Sequence, residues 1–382
     1  MDTNTFDSAG WNALVSLLPT DWKERAEKLK LCRSQPSKSG ERAKLKDPEK
    51  LLRLVLHHVA TDTPLDLTVA QAHAINLVSV SKVALHLRMR TVGPWLSELA
   101  VGVSNADKLF AAERWGGYRI FCTDATCGTR PGACGTTFRV HCRLEAATMR
   151  PHQWEITDVH GGEKLRRFTI EADDLDLLDR AYCNAHDIEH AELGKGKVIV
   201  RYARTSLPLF DSRGRAIDIK PRVLRLSRPG RVKEWPVRVH GPAGTVISGR
   251  IVAVRLNAEQ TAKAIARLER EKKASEITAE DRAWSEYVVV FTTAPRARLS
   301  SEMVLELYRL RWLVELEFKR EKSIGGLDRL PNFRDDTIAS WVAGKLLCFA
   351  LARRSVEGAF SPGGSDERAD ADTDAVDAVL AA

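Results

Sequence analysis

Five short β-prone runs fall between residues 118 and 202: YRIFCTD (118–124), TTFRVHCRLE (136–145), QWEITDV (153–159), LDLLD (175–179) and KVIVRY (197–202). Each is rich in β-branched, aromatic or aliphatic residues and bounded by turn-forming ones. The Gly/Pro-rich stretch CGTRPGACG (127–135) separates the first two. GGEKLRRF (161–168) reads as a short helix, and a second helical connection precedes the last strand. The order β-β-β-α-β-α-β predicts a mixed α/β sheet. The first and fourth strands are expected to end on acids, Asp124 and Asp179. Carboxylates at adjacent strand ends converge at one edge of a sheet, where loops admit a ligand.

The flanks have a different character. Residues 1–104 predict a helical N-terminal region, with amphipathic runs near 20–31, 47–60, 66–76 and 79–100. Within it, LTVAQAHAINLVSVSKVALHLRMR (67–90) reads as helix, break, helix. A DNA-binding helix-turn-helix and a plain helical hairpin both fit that pattern. Residues 205–256 alternate β-prone runs with Gly/Pro turns and predict antiparallel strands, followed by a polar helix at 259–277. An apolar strand, YVVVFTTAP (287–295), leads to a serine-capped helix. The expected organisation is a helical DNA-binding region (1–104), a first part of a core (105–204), a β-rich insertion (205–285), a second part of the core (286–355) and a disordered acidic tail (356–382).

Charge points to a polyanionic partner. The chain carries +8, yet residues 361–382 hold six acids against Arg368, leaving +13 on the body. The stretch 22–53 alone has eleven Lys/Arg and five acids. No run of 18 apolar residues occurs, and the N-terminus lacks a basic start and an apolar stretch, so neither a transmembrane helix nor a signal peptide is expected. The expected location is cytoplasmic, away from membranes. Seven cysteines, an odd number with no C-x2-C pair, fit reduced thiols better than a zinc site.

The run YRLRWLVELEFKREK (308–322) lacks Pro and Gly and predicts one helix. At about 100° per residue, Tyr308, Arg311, Glu315 and Lys322 share a stripe about 60° wide, joined by Lys319, while Glu317 and Glu321 project oppositely. A single carboxylate among basic and phenolic groups suits a metal-bound phosphodiester. The plainer alternative is an ordinary solvated helix with a Glu315–Lys319 pair. Three acids brought together need cations to neutralise them, and oxygen-only ligands favour two Mg²⁺ or Mn²⁺ ions.

Three blocks then carry a resemblance: TDATCGTRPG with FRVHCRLE; DLLDRAY with VIVRY; and YRLRWLVELEFKREKS with GLDRLP. The chain resembles bacterial insertion-sequence DDE transposases of the insertion-sequence-four type over about 50–350. It departs from the usual D-G-T and D-R-G-Y in Asp124-Ala125-Thr126 and Asp179-Arg180-Ala181-Tyr182. The resemblance implies a ribonuclease-H-like core, Asp124, Asp179 and Glu315 as the metal triad, and Tyr308, Arg311 and Lys322 on the phosphates of transposon ends. It also implies double-stranded DNA as substrate, both terminal inverted repeats and target, and a homodimer in the synaptic complex. The altered C-terminus puts pairing of two copies in doubt. Trp284, Tyr287 and Trp312 are candidates to stack on an unpaired base. The alternative function is a non-catalytic DNA-binding protein, a decayed or co-opted copy.

Overall fold

The computed structural model describes residues 8–32, 45–105, 115–271, 273–330 and 335–359. The acidic residues from 360 onward, and the disorder expected of them, lie outside these residues.

Six helices open the chain: α1 (Ser8–Ser16), α2 (Trp22–Lys28), α3 (Pro48–Ala60), α4 (Leu65–Ala74), α5 (Lys82–Met89) and α6 (Gly93–Asn105). Helix α3 shows why. Asp47 accepts the Glu49 amide at 2.9 Å as an N-cap, and Pro48 occupies the first turn, where its missing N–H costs nothing. Leu51, Leu52, Val55 and Val59 then recur at helical spacing and are fully buried. Helices α4 and α5, separated by 75–81, realise the helix–break–helix pattern.

The strands follow as β1 (Arg119–Gly128), β2 (Phe138–Glu145), β3 (Arg150–Asp158), β4 (Asp174–Leu178) and, after helix α7 (Ala185–Leu193), β5 (Lys197–Arg201). Next come β6 (Leu209–Phe210), β7 (Ala216–Ile217), α8 (Lys220–Leu224), β8 (Val232–His240), β9 (Val246–Arg255), α9 (Ala258–Glu271), α10 (Ala279–Ser285) and β10 (Tyr287–Thr292). All ten strands join one sheet, in the order β3-β2-β1-β4-β5-β10-β9-β8-β6-β7. The mixed α/β, ribonuclease-H-like class expected from the sequence is the one adopted: β1, β4 and β5 run parallel, with antiparallel partners on both flanks. The strands between 205 and 285 extend this sheet through the β9–β10 ladder.

The chain closes with α11 (Ser301–Arg309), α12 (Trp312–Ser323) and α13 (Asp335–Ala359). Alternation along the strands sends side chains to two cores. Ile120, Cys122, Leu175 and Leu177 pack under α11 and α12 with Val304, Leu307, Val314 and Phe318. Leu178, Val198 and Val200 pack on the opposite face with Ile188 of α7 and Val223 of α8. The N-terminal helices share a third core with α13 and with Phe138 and Val140 of β2. A close approach fixes the end of β1: a Cβ on Gly128 would lie 2.1 Å from the Phe138 ring, so only glycine fits opposite that residue.

Two expectations are corrected. The run 308–322 is two helices, not one: α11 ends at Arg309 and α12 starts at Trp312. Between them the backbone tightens to i→i−3 bonds, Leu310 to Leu307 at 2.9 Å and Arg311 to Tyr308 at 3.2 Å. The turn re-phases the helix so that Val304 and Leu307 before it, and Val314 and Phe318 after it, all reach the sheet. The Leu310 carbonyl accepts both the Leu313 amide at 2.9 Å and the Cys122 thiol at 3.1 Å, which ties the break to β1. Strand β1 also does not end at Asp124. Its parallel pairing with β4 stops at Thr123–Leu178, but its antiparallel ladder with β2 continues to Gly128–Phe138.

Candidate active site

The parallel registers set out a row. Thr123 pairs with Leu178, and Leu178 with Val200. One residue further on come Asp124, Asp179 and Arg201, at the same level on three neighbouring strands. Asp124 shares the parity of Ile120 and Cys122, and Asp179 that of Leu175 and Leu177, so both acids project toward the α11–α12 side.

Each acid is braced by its own turn. The Asp124 carboxylate accepts the Ala125 amide at 2.8 Å, and Asp179 accepts the Arg180 amide at 2.6 Å. Both are half-buried. Burial raises the Asp124 carboxyl to about 7; the nearby Asp179 and Glu163 charges add to this, opposed by the Ala125 amide and Arg311.

Arg311, at the first turn of α12, reaches across. One guanidinium nitrogen lies 3.4 Å from Asp124 Oδ2 and another 2.5 Å from Glu315 Oε1. Its side chain is only 12% exposed. Burial opposes its charge, but Tyr308, Glu315 and Asp179 outweigh that and raise its pKa. Asp124 and Glu315 therefore share one cation, with Asp179 in its field. As the side chains lie, no three carboxylate, imidazole or thiol groups among the described residues surround a common ion position. The donor set is nonetheless the one a hard divalent cation takes: carboxylate oxygens alone, converging on one positive group.

The other residues singled out from the sequence have varied placements. Tyr308 lies in the field of Arg201, Asp179 and Arg311, and burial pushes its hydroxyl up to about 12. Lys322 reaches back to β1, its Nζ donating to the Cys127 carbonyl at 3.2 Å. Lys319 is exposed. Trp312 is half-buried and lines a cavity of ≈ 770 Å³ together with Arg201, Tyr308, Arg309, Arg311 and Arg255. Tyr287, a candidate stacking residue, is instead in the core: it is 4% exposed, and its hydroxyl donates toward the Leu224 and Leu226 carbonyls. Trp284 packs partly against the same core, with the Arg204 guanidinium 5.5 Å from its ring centre.

Two residues escaped the sequence reading. Arg201 ends β5, level with Asp179, but it is the next-to-last residue of the run KVIVRY, so the strand-end position that marks the two acids does not mark it in sequence. Glu163 follows β3, pairs with Arg139 at 4.0 Å, and is close enough to shift Asp124. It lay inside a segment read only as a short helix, and nothing in its immediate sequence marks it.

With this geometry in view, comparison with known proteins is direct. The Transposase DDE domain family matches residues 115–351, more than half of the chain. The transposase for insertion sequence element IS421 of Escherichia coli is 29% identical over 318 residues, covering 81% of this chain and 85% of its own length. The InsL protein of insertion sequence element IS186A of E. coli K12 is 29% identical over 317 residues, with the same coverage. The transposase for insertion sequence element IS231F of Bacillus thuringiensis subsp. israelensis is 26% identical over 202 residues, covering 48% of this chain and 42% of its own length.

Proposed function

The chain belongs to the transposase DDE domain family, and from that premise we propose that it cleaves phosphodiester bonds at the ends of its own insertion sequence and joins the freed 3′ ends to target DNA. We read it as a member of the insertion-sequence-four type, on the Y-x2-R-x3-E-x6-K spacing of Tyr308, Arg311, Glu315 and Lys322. The observation that carries the reading is the convergence of Asp124 and Glu315 on one guanidinium, with Asp179 level with Asp124 on the next strand.

Asp124, Asp179 and Glu315 are the residues that would hold two Mg²⁺ or Mn²⁺ ions, which would activate the attacking oxygen and stabilise the leaving one. The chain's own contribution is positioning. The parallel β1–β4 register sets the two aspartates side by side, and α12 brings the glutamate over them. Arg201, Tyr308, Arg311 and Lys322 offer cationic and phenolic donors to phosphate oxygens on either side of the scissile bond. The adjoining cavity, with Trp312 on its wall, is large enough for a nucleotide unstacked from a duplex end. Residues 1–104 supply sequence-specific DNA binding, 105–204 and 286–355 the catalytic core, and 205–285 the insertion that walls the cavity. Two copies pair in the synaptic complex, acting on chromosomal DNA in the cytoplasm. No helix among the described residues is long and apolar enough to cross a membrane.

The test is nicking and strand transfer on duplexes carrying the element's terminal inverted repeats, with Mg²⁺ or with chelator. Cleavage that needs Mg²⁺ and disappears in Asp124→Asn and Asp179→Asn supports the reading. Tight binding to the repeats without cleavage, under any divalent ion, would replace it with the non-catalytic DNA-binding alternative.

A further inference from the structure

Arg311 stands where it obstructs the chemistry its neighbours are suited to. Its nitrogens take Asp124 Oδ2 and Glu315 Oε1 at 3.4 and 2.5 Å. A divalent ion bonded to the same oxygens at ~2.1 Å cannot share that space with a guanidinium. Nor can the guanidinium be discharged to make way, since arginine stays protonated throughout the pH range in which proteins fold. It can only leave by rotating out.

The surroundings define where it goes. The backbone at 310–311 is held by the tightened turn and by the Cys122 thiol on the Leu310 carbonyl, so the side chain moves and its base stays fixed. Arg311 also lines the ≈ 770 Å³ cavity on its other side, beside Arg201, Tyr308 and Trp312. That cavity has a cationic rim, and the only carboxylates among its lining residues are Glu302 and Glu306 of α11. A phosphodiester placed there would offer two oxygens to the planar guanidinium fork, a better-matched partner than two separate carboxylates.

We propose that Arg311 is an internal counter-cation that keeps Asp124 and Glu315 from the divalent ions until a DNA phosphate takes its guanidinium over. This inference rests on the metal-triad reading above. It makes metal loading and DNA binding positively coupled: DNA raises the affinity for the ion, and the ion raises the affinity for DNA by the same factor. Phosphoryl-transfer capability is thereby confined to protein already on DNA, and Arg311 acts as a positioning residue in both states.

The experiment uses the full chain and Mn²⁺, with free ion followed by its electron paramagnetic resonance signal. Without DNA, Arg311→Gln should bind Mn²⁺ at least about tenfold more tightly than the wild type, within the usual range of coupling. Arg311→Lys, which cannot fork across two carboxylates, should fall between them. Unchanged or weaker Mn²⁺ binding by Arg311→Gln would overturn the proposal, showing that Arg311 supports the ligands instead of excluding the ion. Wild-type protein gives a second measurement that needs no variant to fold. Its affinity for a short mixed-sequence duplex, read by fluorescence anisotropy, should rise on adding Mn²⁺, and an affinity indifferent to Mn²⁺ would overturn the coupling. Failure of the underlying reading looks different. Mn²⁺ binding that survives both Asp124→Asn and Glu315→Gln in the Arg311→Gln background would place the ion elsewhere, whatever Arg311 does.

Discussion

Helix α12 carries acids on two faces, and they meet opposite fates. Glu315 stays 43% exposed and pairs with Arg311 over the site. Glu317 and Glu321, one turn apart, are each about 1% exposed. They lie in the stripe Val314, Glu317, Phe318, Glu321, the i, i+3, i+4, i+7 positions that face the interior. Glu317 meets Arg353 of α13 at 3.2 Å. Both charges bear on the buried Cys142 thiol of β2, which is pushed well up, chiefly by burial. Neither carboxyl oxygen of Glu321 has a hydrogen-bond partner among the described residues. The same residue type thus serves as a prospective ligand on one face and as a costly buried acid on the other. What separates them is the company of Tyr308, Arg311 and Lys322, not charge.

The comparison breaks most visibly in catalysis. Glu315→Gln removes a proposed metal ligand, and the several kcal/mol attached to metal stabilisation correspond to about a thousandfold in rate. Cleavage of end-bearing DNA should fall by at least that order, with DNA binding retained. Glu317→Gln should leave the rate in the same decade. If Glu317→Gln were the inactivating change, the two faces would have to be exchanged.

Burial also sets pH dependence, with opposite signs in two places. His58 of α3 is fully buried, its Nδ1 2.6 Å from the Thr63 carbonyl and its ring edge-on to Trp341 of α13. Burial lowers its pKa to about 4. The unfolded chain takes a proton near pH 6.5 that the folded chain refuses until about 4, so the folded state loses stability as pH falls through that window. The loss is ~3 kcal/mol at 1.36 kcal/mol per unit. Urea denaturation across pH 4–7 should show it, and His58→Gln should flatten the slope.

Glu321 has the reverse sign. Burial first, then the Glu317 charge, raise its carboxyl well above the ordinary value. Above an unfolded pKa of ~4.3 the folded chain keeps a proton that the unfolded chain has lost, so this residue costs stability as pH rises. Glu321→Gln should therefore stabilise the protein near neutral pH by ~1–3 kcal/mol and remove that component of the slope. A destabilised Glu321→Gln would mean that the acid has a polar role on the buried face.

How much of this was legible depended on range. The strands at 118–202 and the acids Asp124 and Asp179 are written in local alternation and turn chemistry, and they were readable. The break at 310–311 was not, because Leu310 and Arg311 are good helix formers; it arises from fitting two helical segments to one sheet. The extension of the sheet by β9 and β8, and the packing of α6 and α3 on α13, rest on pairings between residues far apart in sequence. Arg201 was not legible by position, because the β-prone run continues to Tyr202 while β5 ends one residue earlier. The buried destination of Glu321 contradicts the expectation for its residue type, although Val314 and Phe318 at helical spacing mark the face on which it lies.

The smallest effect tests the far end of the same helix. Lys322 shares the Glu315 side in sequence, yet its ammonium is already tied to the Cys127 carbonyl at the end of β1. Two roles follow, a phosphate contact or a strap between α12 and β1. Lys322→Ala should weaken binding about equally across DNA sequences and reduce the slope of log affinity against log salt by about 1 if the ammonium neutralises a phosphate. A strap would leave the slope unchanged and lower the unfolding midpoint instead. The measured slope therefore decides whether the exposed face of α12 addresses DNA along its whole length or only at Arg311 and Glu315.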